Sequence, residues 1–272
     1  MNWIIYAGPY DETSGGSIAL HKLADMLCRN GEVACLTTPK KNPEWMGGYA
    51  DAYDVATMDY AVVIYPEIAV GNPLGQGFPT IRWILNTPGV MGGNGVFGPD
   101  DVVLLYSRYY SVSPKYKVSG ILGVYEFKRD VFVDKGLERK GECYIVRKGR
   151  KKGLVSSGLR LDGYAGDAAL VEAFNTRERF TSHDDVTMLS LFAAMCGCES
   201  VVIPGPLTAD EWREKIPYLR YGVAYGDSQY ERDRAKDTRS LIPENLLALE
   251  KESREQTLDM IQLMEAQCYA KA

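Results

Sequence analysis

A chain of 272 residues with 46% hydrophobic and 25% charged residues has the composition of a globular protein able to bury one large core or two smaller ones. Its formal net charge of −5 excludes a protein that is basic overall, so contact with a nucleic acid would need a local basic patch. No apolar run approaches the roughly 20 residues that cross a bilayer, and Met1-Asn2-Trp3 leads into a strand rather than a basic leader. The expectation is a cytoplasmic protein without membrane insertion. Cysteines at 28, 35, 143, 196, 198 and 268 form no CxxC pair, and the only histidines are His21 and His183. Buried reduced thiols are therefore expected, with no zinc site and no disulfide framework.

In chain order, an apolar strand over residues 3–7 is broken by Gly8-Pro9-Tyr10-Asp11. Gly15-Gly16 then precedes a helix predicted from 17 to 30, with Leu20, Leu23, Ala24 and Leu27 on one face and Gly31 as its stop. A strand over 32–37 completes a βαβ unit. Residues 60–65 form a third, buried strand, and Glu67 stands just past its carboxyl end in PEIAVGNPLGQG. Ligands collect at that end of strands in open α/β sheets, so Glu67 and Asp11 are site candidates. Another strand, 80–85, ends at Asn86-Thr87-Pro88-Gly89. Gly93-Asn94-Gly95-Val96-Phe97-Gly98 matches GxGxxG, but a Pro-Gly turn precedes it and the strand 102–106 follows. The dinucleotide fingerprint needs a strand before it and a helix after it, which speaks against an NAD-type oxidoreductase.

Residues 107–142 mix aromatic, basic and short apolar runs, and a change of domain is expected between 125 and 142. A strand over 142–146 leads into RKGRKKG, where Arg147, Lys148, Lys151 and Lys152 could grip phosphate, contact a nucleic-acid backbone or simply be solvated. A short helix covers 167–174. Residues 180–204 then read as a strand end, a polar turn, a helix, a Cys-Gly-Cys corner and a buried strand. Ser182 with Asp185 fits a capping box, Val186, Leu189, Phe192 and Ala193 recur at helical spacing, and Gly197 ends the helix. A helix starting at the carboxyl edge of a parallel sheet offers its N–H groups to an anion; Asp184 is expected at its exposed start, with hydroxyls from Ser182 and Thr187. Thr208 and Glu211 form a second capping box for a helix over 209–215. Pro243 opens a last helix to about residue 270, with Leu258, Ile261 and Met264 as its apolar stripe.

The segment 180–204 resembles the donor-binding helix of glycosyltransferases with the GT-B fold, whose pattern is an acid, seven residues, a second acid, then Ala and a Gly-containing corner. Asp184 takes the first acidic place, and the second, which holds the donor ribose in the family, is Phe192 here. Gly15-Gly16 before a helix carrying His21, and the pair YPEI…GNPLG and RWILN.PG, are similar to GT-B-type transferases of phages and bacteria. Tyr221, Gly222 and Tyr225 look like the strand and turn after the family's donor site.

The resemblance implies an α/β fold of two Rossmann-like domains facing a cleft. Residues 1–128 would form the acceptor side, 129–245 the donor side, with the last helix, 246–272, crossing back to the first domain. It implies transfer of a hexose from a nucleotide sugar, with UDP-glucose the first guess, to an acceptor hydroxyl. No cofactor is implied, and no metal, since the chain has no Asp-x-Asp. Gly15, Gly16, Arg147, Lys148, Lys151, Ser182, Asp184 and Thr187 are the donor-binding candidates. Glu67 is the first choice of base and Asp11 the second, with His21 lining the sugar pocket or packing in the core. The acceptor stays open between a 5-hydroxymethylpyrimidine in phage DNA, met by Tyr106, Arg108, Tyr109 and Tyr110, and a cell-surface glycan or lipid-linked precursor. Size and the basic, aromatic stretch from 106 to 129 favour the DNA base. A nucleotide-binding module without transfer activity is the alternative from another class. Oligomeric state and the stereochemical course are not legible.

Overall fold

The computed structural model describes residues 1–152, 156–163 and 166–269, apart from the side chains of Arg150, Lys151, Cys268 and Tyr269. The chain divides into two compact units, one of Met1–Glu126 with the segment from Glu250 onward, the other Phe127–Leu249.

The first unit contains β1 (Asn2–Ile5), α1 (Gly15–Arg29), β2 (Val33–Leu36), β3 (Gly48–Tyr49), α2 (Ala52–Ala56), β4 (Val62–Pro66), β5 (Thr80–Ile84), β6 (Val102–Leu105) and β7 (Val118–Ile121). Its sheet has the order β3-β2-β1-β4-β5-β6-β7 with every pairing parallel. Alternation along the strands sends Trp3, Ile5, Ile64, Trp83 and Leu104 to one face. There they meet Leu20, Leu23 and Leu27 of α1 and Met260, Ile261 and Met264 of the last helix, Ile242–Tyr269. Gln256 of that helix accepts from the Gly123 amide at 2.7 Å.

The opposite face is covered differently. The connections 67–79, 85–101 and 106–117 contain no helix, although parallel strands are ordinarily joined by one. Ala69, Leu74 and Phe78 pack on Ile4, Val63 and Tyr65, while Phe97, Tyr110 and Tyr116 pack on Ile84, Val103 and Leu105. Irregular backbone cannot satisfy its own polar groups, so something else must. Arg82, in the middle of β5 and only 2% exposed, does this. Its Nε donates to Asp101 at 2.7 Å, and its terminal nitrogens donate to the carbonyls of Ala69, at 3.1 Å, and Gly71. The guanidinium also lies 4.6 Å from the Tyr65 ring centroid. Tyr110 is buried in this layer and the half-buried Tyr106 ties its hydroxyl to the Val124 carbonyl at 3.1 Å. Neither stands at the surface as a stacking platform, contrary to expectation.

The second unit contains β8 (Glu142–Ile145), β9 (Leu159–Arg160), α3 (Asp167–Thr176), β10 (Arg179–Ser182), α4 (Met188–Met195), β11 (Glu199–Val202), α5 (Ala209–Lys215), β12 (Val223–Tyr225) and α6 (Gln229–Thr238). The sheet order is β12-β11-β10-β8-β9, again all parallel. The Thr208–Glu211 capping box is present as expected. The expected box at Ser182 is not. Ser182 ends β10 and its hydroxyl donates to the Asp184 carbonyl at 2.6 Å, while the Asp184 carboxylate accepts from the Val186 amide at 3.1 Å. These local bonds hold 182–186 as a turn and delay the helix to Met188, capped by Thr187. At the other end Gly197, with φ of 84°, closes the helix: the Cys198 amide donates to Ala193 O at 3.0 Å and the Gly197 amide to Ala194 O at 3.1 Å. Gly15 and Gly16 likewise form the first turn of α1, capped by Ser14, rather than a turn before it.

Replacing Arg82 by Met keeps most of the side-chain volume but strips Asp101 and two loop carbonyls of the guanidinium. The expected loss is about 3–5 kcal/mol of stability in chemical unfolding. A loss below about 1 kcal/mol would show that the loop layer does not hang on this residue.

Candidate functional site

The carboxyl edge of the five-stranded sheet gathers most of the expected donor residues. After β8 the chain turns through one short stretch of 3-10 helix, Arg147–Lys152, with Arg147 at a φ of 39°. The amides of Val146 and Arg147 would suit a phosphate, but Asp162 already occupies them. Its carboxylate accepts from Val146 N at 3.0 Å and from Arg147 N at 2.7 Å. Burial opposes ionisation of Asp162, yet these amides and Arg160 outweigh it and hold the pKa below the ordinary carboxylate value. What the turn offers an anion is therefore side chains: Arg147 and Lys148, both exposed. Lys152 is committed elsewhere, donating to the Ile203 carbonyl at 2.7 Å and lying 3.5 Å from the Asp185 carboxylate. Lys151, a further candidate, has its side chain outside the described residues.

Beside this turn lies the end of β10. The His183 amide donates to Ile145 O at 3.0 Å, and its Nε2 is 2.9 Å from the Ser156 hydroxyl. Asp184 is 3% exposed rather than at an open helix start. Burial raises its pKa, offset in part by Lys148, the Val186 amide and Arg147, with Asp185 adding to the rise. Ser182 and Thr187 are buried, one with its hydroxyl on the Asp184 carbonyl and the other capping α4. The structure thus brings Arg147, Lys148, Ser182, Asp184 and Thr187 to one edge, with only the two cations exposed among them. Phe192, at the place of the family's second acid, stacks on Phe132 with centroids 4.1 Å apart and planes within 6°. A carboxylate there would be driven into the core.

Three members of this edge escaped sequence reasoning: Asp162, Ser156 and a placed His183. Asp162 follows a strand of only two residues, so no periodicity announces it.

In the first unit, Asp11 is exposed and its Oδ1 accepts from the Thr13 hydroxyl at 2.7 Å and amide at 2.8 Å. Those two bonds hold its pKa below the usual range, which makes it a weak base. Glu67 is buried, and its Oε2 accepts from the Leu85 amide at 2.9 Å, joining the ends of β4 and β5. His21 is only 1% exposed; its Nε2–H donates to Gly8 O at 3.1 Å, and Nδ1 has no hydrogen-bond partner. Burial lowers its pKa, against the Gly8 bond and with Lys41, so the ring is neutral near pH 7 and Nδ1 carries a lone pair. Of the three base candidates expected from sequence, Glu67, Asp11 and His21, only His21 keeps a ring nitrogen without a hydrogen-bond partner.

Among the described residues no group of three or more His, Cys, Asp or Glu could hold a metal ion, and no helix is long and apolar enough to cross a membrane. Two parallel sheets of α/β type, one in each unit and each with polar residues at its carboxyl edge, define the class of protein.

No family model matches the chain, and no curated protein does. Among solved structures it is similar to the crystal structure of MurG from Acinetobacter baumannii, at 11% identity, over 97% of this chain and 99% of that one, with a TM-score of 0.36. At that TM-score the likeness carries no argument.

The burial of Asp184 has a consequence for stability. Because the folded-state pKa is raised, the ionised carboxylate opposes folding, so its contribution is full below the unfolded pKa and is lost as pH rises through the folded one. Asp184→Asn removes the titration and keeps an oxygen for the Val186 amide. The variant should therefore gain thermal stability relative to wild type as pH climbs from about 4 towards neutrality. A difference in midpoints that stays constant over that window would contradict the burial argument.

Proposed function

We propose that the chain is a glycosyltransferase of the GT-B type that takes a nucleotide-sugar donor at the carboxyl edge of the five-stranded sheet. The observation that carries this reading is the pair of exposed cations, Arg147 and Lys148, beside buried Asp184 at the ends of two parallel strands. Such an edge is where α/β sheets hold ligands, and two cations there suit a diphosphate. In the reaction the bond from the sugar carbon to the diphosphate breaks and a bond to an acceptor oxygen forms. Arg147 and Lys148 offset the charge growing on the leaving diphosphate. The acceptor proton passes to a base, and His21 is the best suited of the first unit's candidates, being neutral with an open lone pair at Nδ1. The ring is covered, so this step requires the loop between β1 and α1 to yield.

UDP-glucose is the donor to try first. The acceptor follows from what the aromatic residues do. Tyr110 is buried and Tyr106 spends its hydroxyl internally. The flipped-base reading loses both, and a glycan or lipid-linked acceptor hydroxyl stands ahead of a 5-hydroxymethylpyrimidine. The covered His21 favours one second reading, a nucleotide-binding module that does not transfer.

A panel of nucleotide sugars, incubated with the protein and with glycan, lipid-linked and hydroxymethylated-DNA acceptors, separates these readings by mass spectrometry. Transfer, or release of nucleoside diphosphate, is expected. With a working donor, His21→Gln should lower kcat by about 100-fold or more while leaving donor KM nearly unchanged. The acid limb of kcat/KM should fall below the ordinary histidine pKa. Binding without turnover for every donor would favour the module instead.

A further inference from the structure

The loop layer formed over the seven-stranded sheet by the connections 67–79, 85–101 and 106–117 has an outer surface to which the proposed transfer reaction assigns no role. Residues 66–99 contain only two charged side chains, Glu67 and Arg82, and both are buried. In a chain that is 25% charged, an uncharged surface of that length is unusual. It also exposes Ile68, Val70, Val90, Met91 and Val96, with Met91 at 60%. These are adjacent rather than scattered. A Cβ at Gly93, whose φ is 74°, would collide with the Glu67 carbonyl, so the Val90–Met91 loop lies against Ile68. Gly95 lies near Pro88, where a Cβ would come 3.3 Å from the ring. Nor are the loops loosely held. Arg82 binds the carbonyls of Ala69 and Gly71, and the Tyr65 hydroxyl donates to Asn72 at 2.6 Å.

The next connection supplies charge of one sign. Residues 102–125 carry Arg108, Lys115 and Lys117 and no carboxylate, and all three cations are exposed. This segment packs on the same layer, the Phe97 amide donating to the Tyr116 hydroxyl at 2.8 Å and the two rings lying 4.9 Å apart. Asp100, at the end of the uncharged stretch, is the exposed acid nearest in sequence.

We propose that this loop layer docks on an anionic lipid surface, with Ile68, Val70, Val90, Met91 and Val96 entering the interface and Arg108, Lys115 and Lys117 meeting the headgroups. Apolar side chains on braced loops beside a cationic rim fit the boundary between acyl chains and anionic headgroups. The loop backbone stays at headgroup depth, since irregular backbone cannot enter hydrocarbon. A second copy of the chain fits less well, because a two-fold contact would set the same cations against one another. The inference is independent of the transferase reading and survives its failure.

The test is co-sedimentation of the full chain with phosphatidylglycerol–phosphatidylcholine vesicles, with pure phosphatidylcholine and high salt as comparisons. Binding to the anionic vesicles is expected, weaker in high salt and weaker still on phosphatidylcholine. The paired change V90D and M91D should reduce binding at least tenfold while leaving the thermal midpoint unchanged. K115E with K117E should weaken binding at low salt only. Wild-type protein that fails to sediment, or binding unmoved by the paired aspartates, overturns the proposal. So does a concentration-dependent dimer, seen by analytical ultracentrifugation, that the aspartates dissolve.

Discussion

One buried guanidinium sets the shape of the first unit. Parallel strands normally return through helices, which satisfy their own backbones and bury one face. Three connections here do so without helices, and Arg82 reaches from the middle of β5 to carry two of their carbonyls and Asp101. Glu67 does related work from the same region, joining the ends of β4 and β5 through the Leu85 amide. The only two charges in that stretch of sequence are thus spent inside the fold, which leaves its outer surface uncharged and apolar.

The second unit shows a different economy of charge. The amides after β8 face a carboxylate of the protein's own, Asp162, and Lys152 is engaged with Ile203 and Asp185. Arg147 and Lys148 stay exposed beside Asp184, a carboxylate whose burial disfavours its charge. An arriving dianion would meet two exposed cations beside a carboxylate whose ionised form burial opposes. That is the electrostatic basis for reading the edge as a donor site.

Much of the architecture was legible because it rests on local chemistry. Thr208 with Glu211 announced α5, Gly197 announced the end of α4, and the β-branched run at 201–203 announced a strand buried in a parallel sheet. Other features are decided by partners far along the chain. α6 reads as polar on all sides because its buried face includes Glu231, which is matched by Arg213 and by the Tyr225 amide at 3.1 Å. The start of α4 is ambiguous in sequence, since Ser182 is an equally good cap and strand end; only the turn at Asp184 decides between them. The site was legible as a set of residue types and not as their roles. Glu67 and Asp11 look available in sequence, whereas Leu85 and Thr13 claim them in the fold.

The central claim is that Arg147 and Lys148 form the diphosphate end of a nucleotide-sugar site. Calorimetric titration of uridine, guanosine, adenosine and cytidine diphosphates into the wild-type protein and into R147A/K148A tests it directly. The account predicts that at least one diphosphate binds, more tightly than its monophosphate, and that the paired substitution removes the difference. If no diphosphate binds, or if binding is unchanged in the variant, the carboxyl edge of the five-stranded sheet is not a donor site.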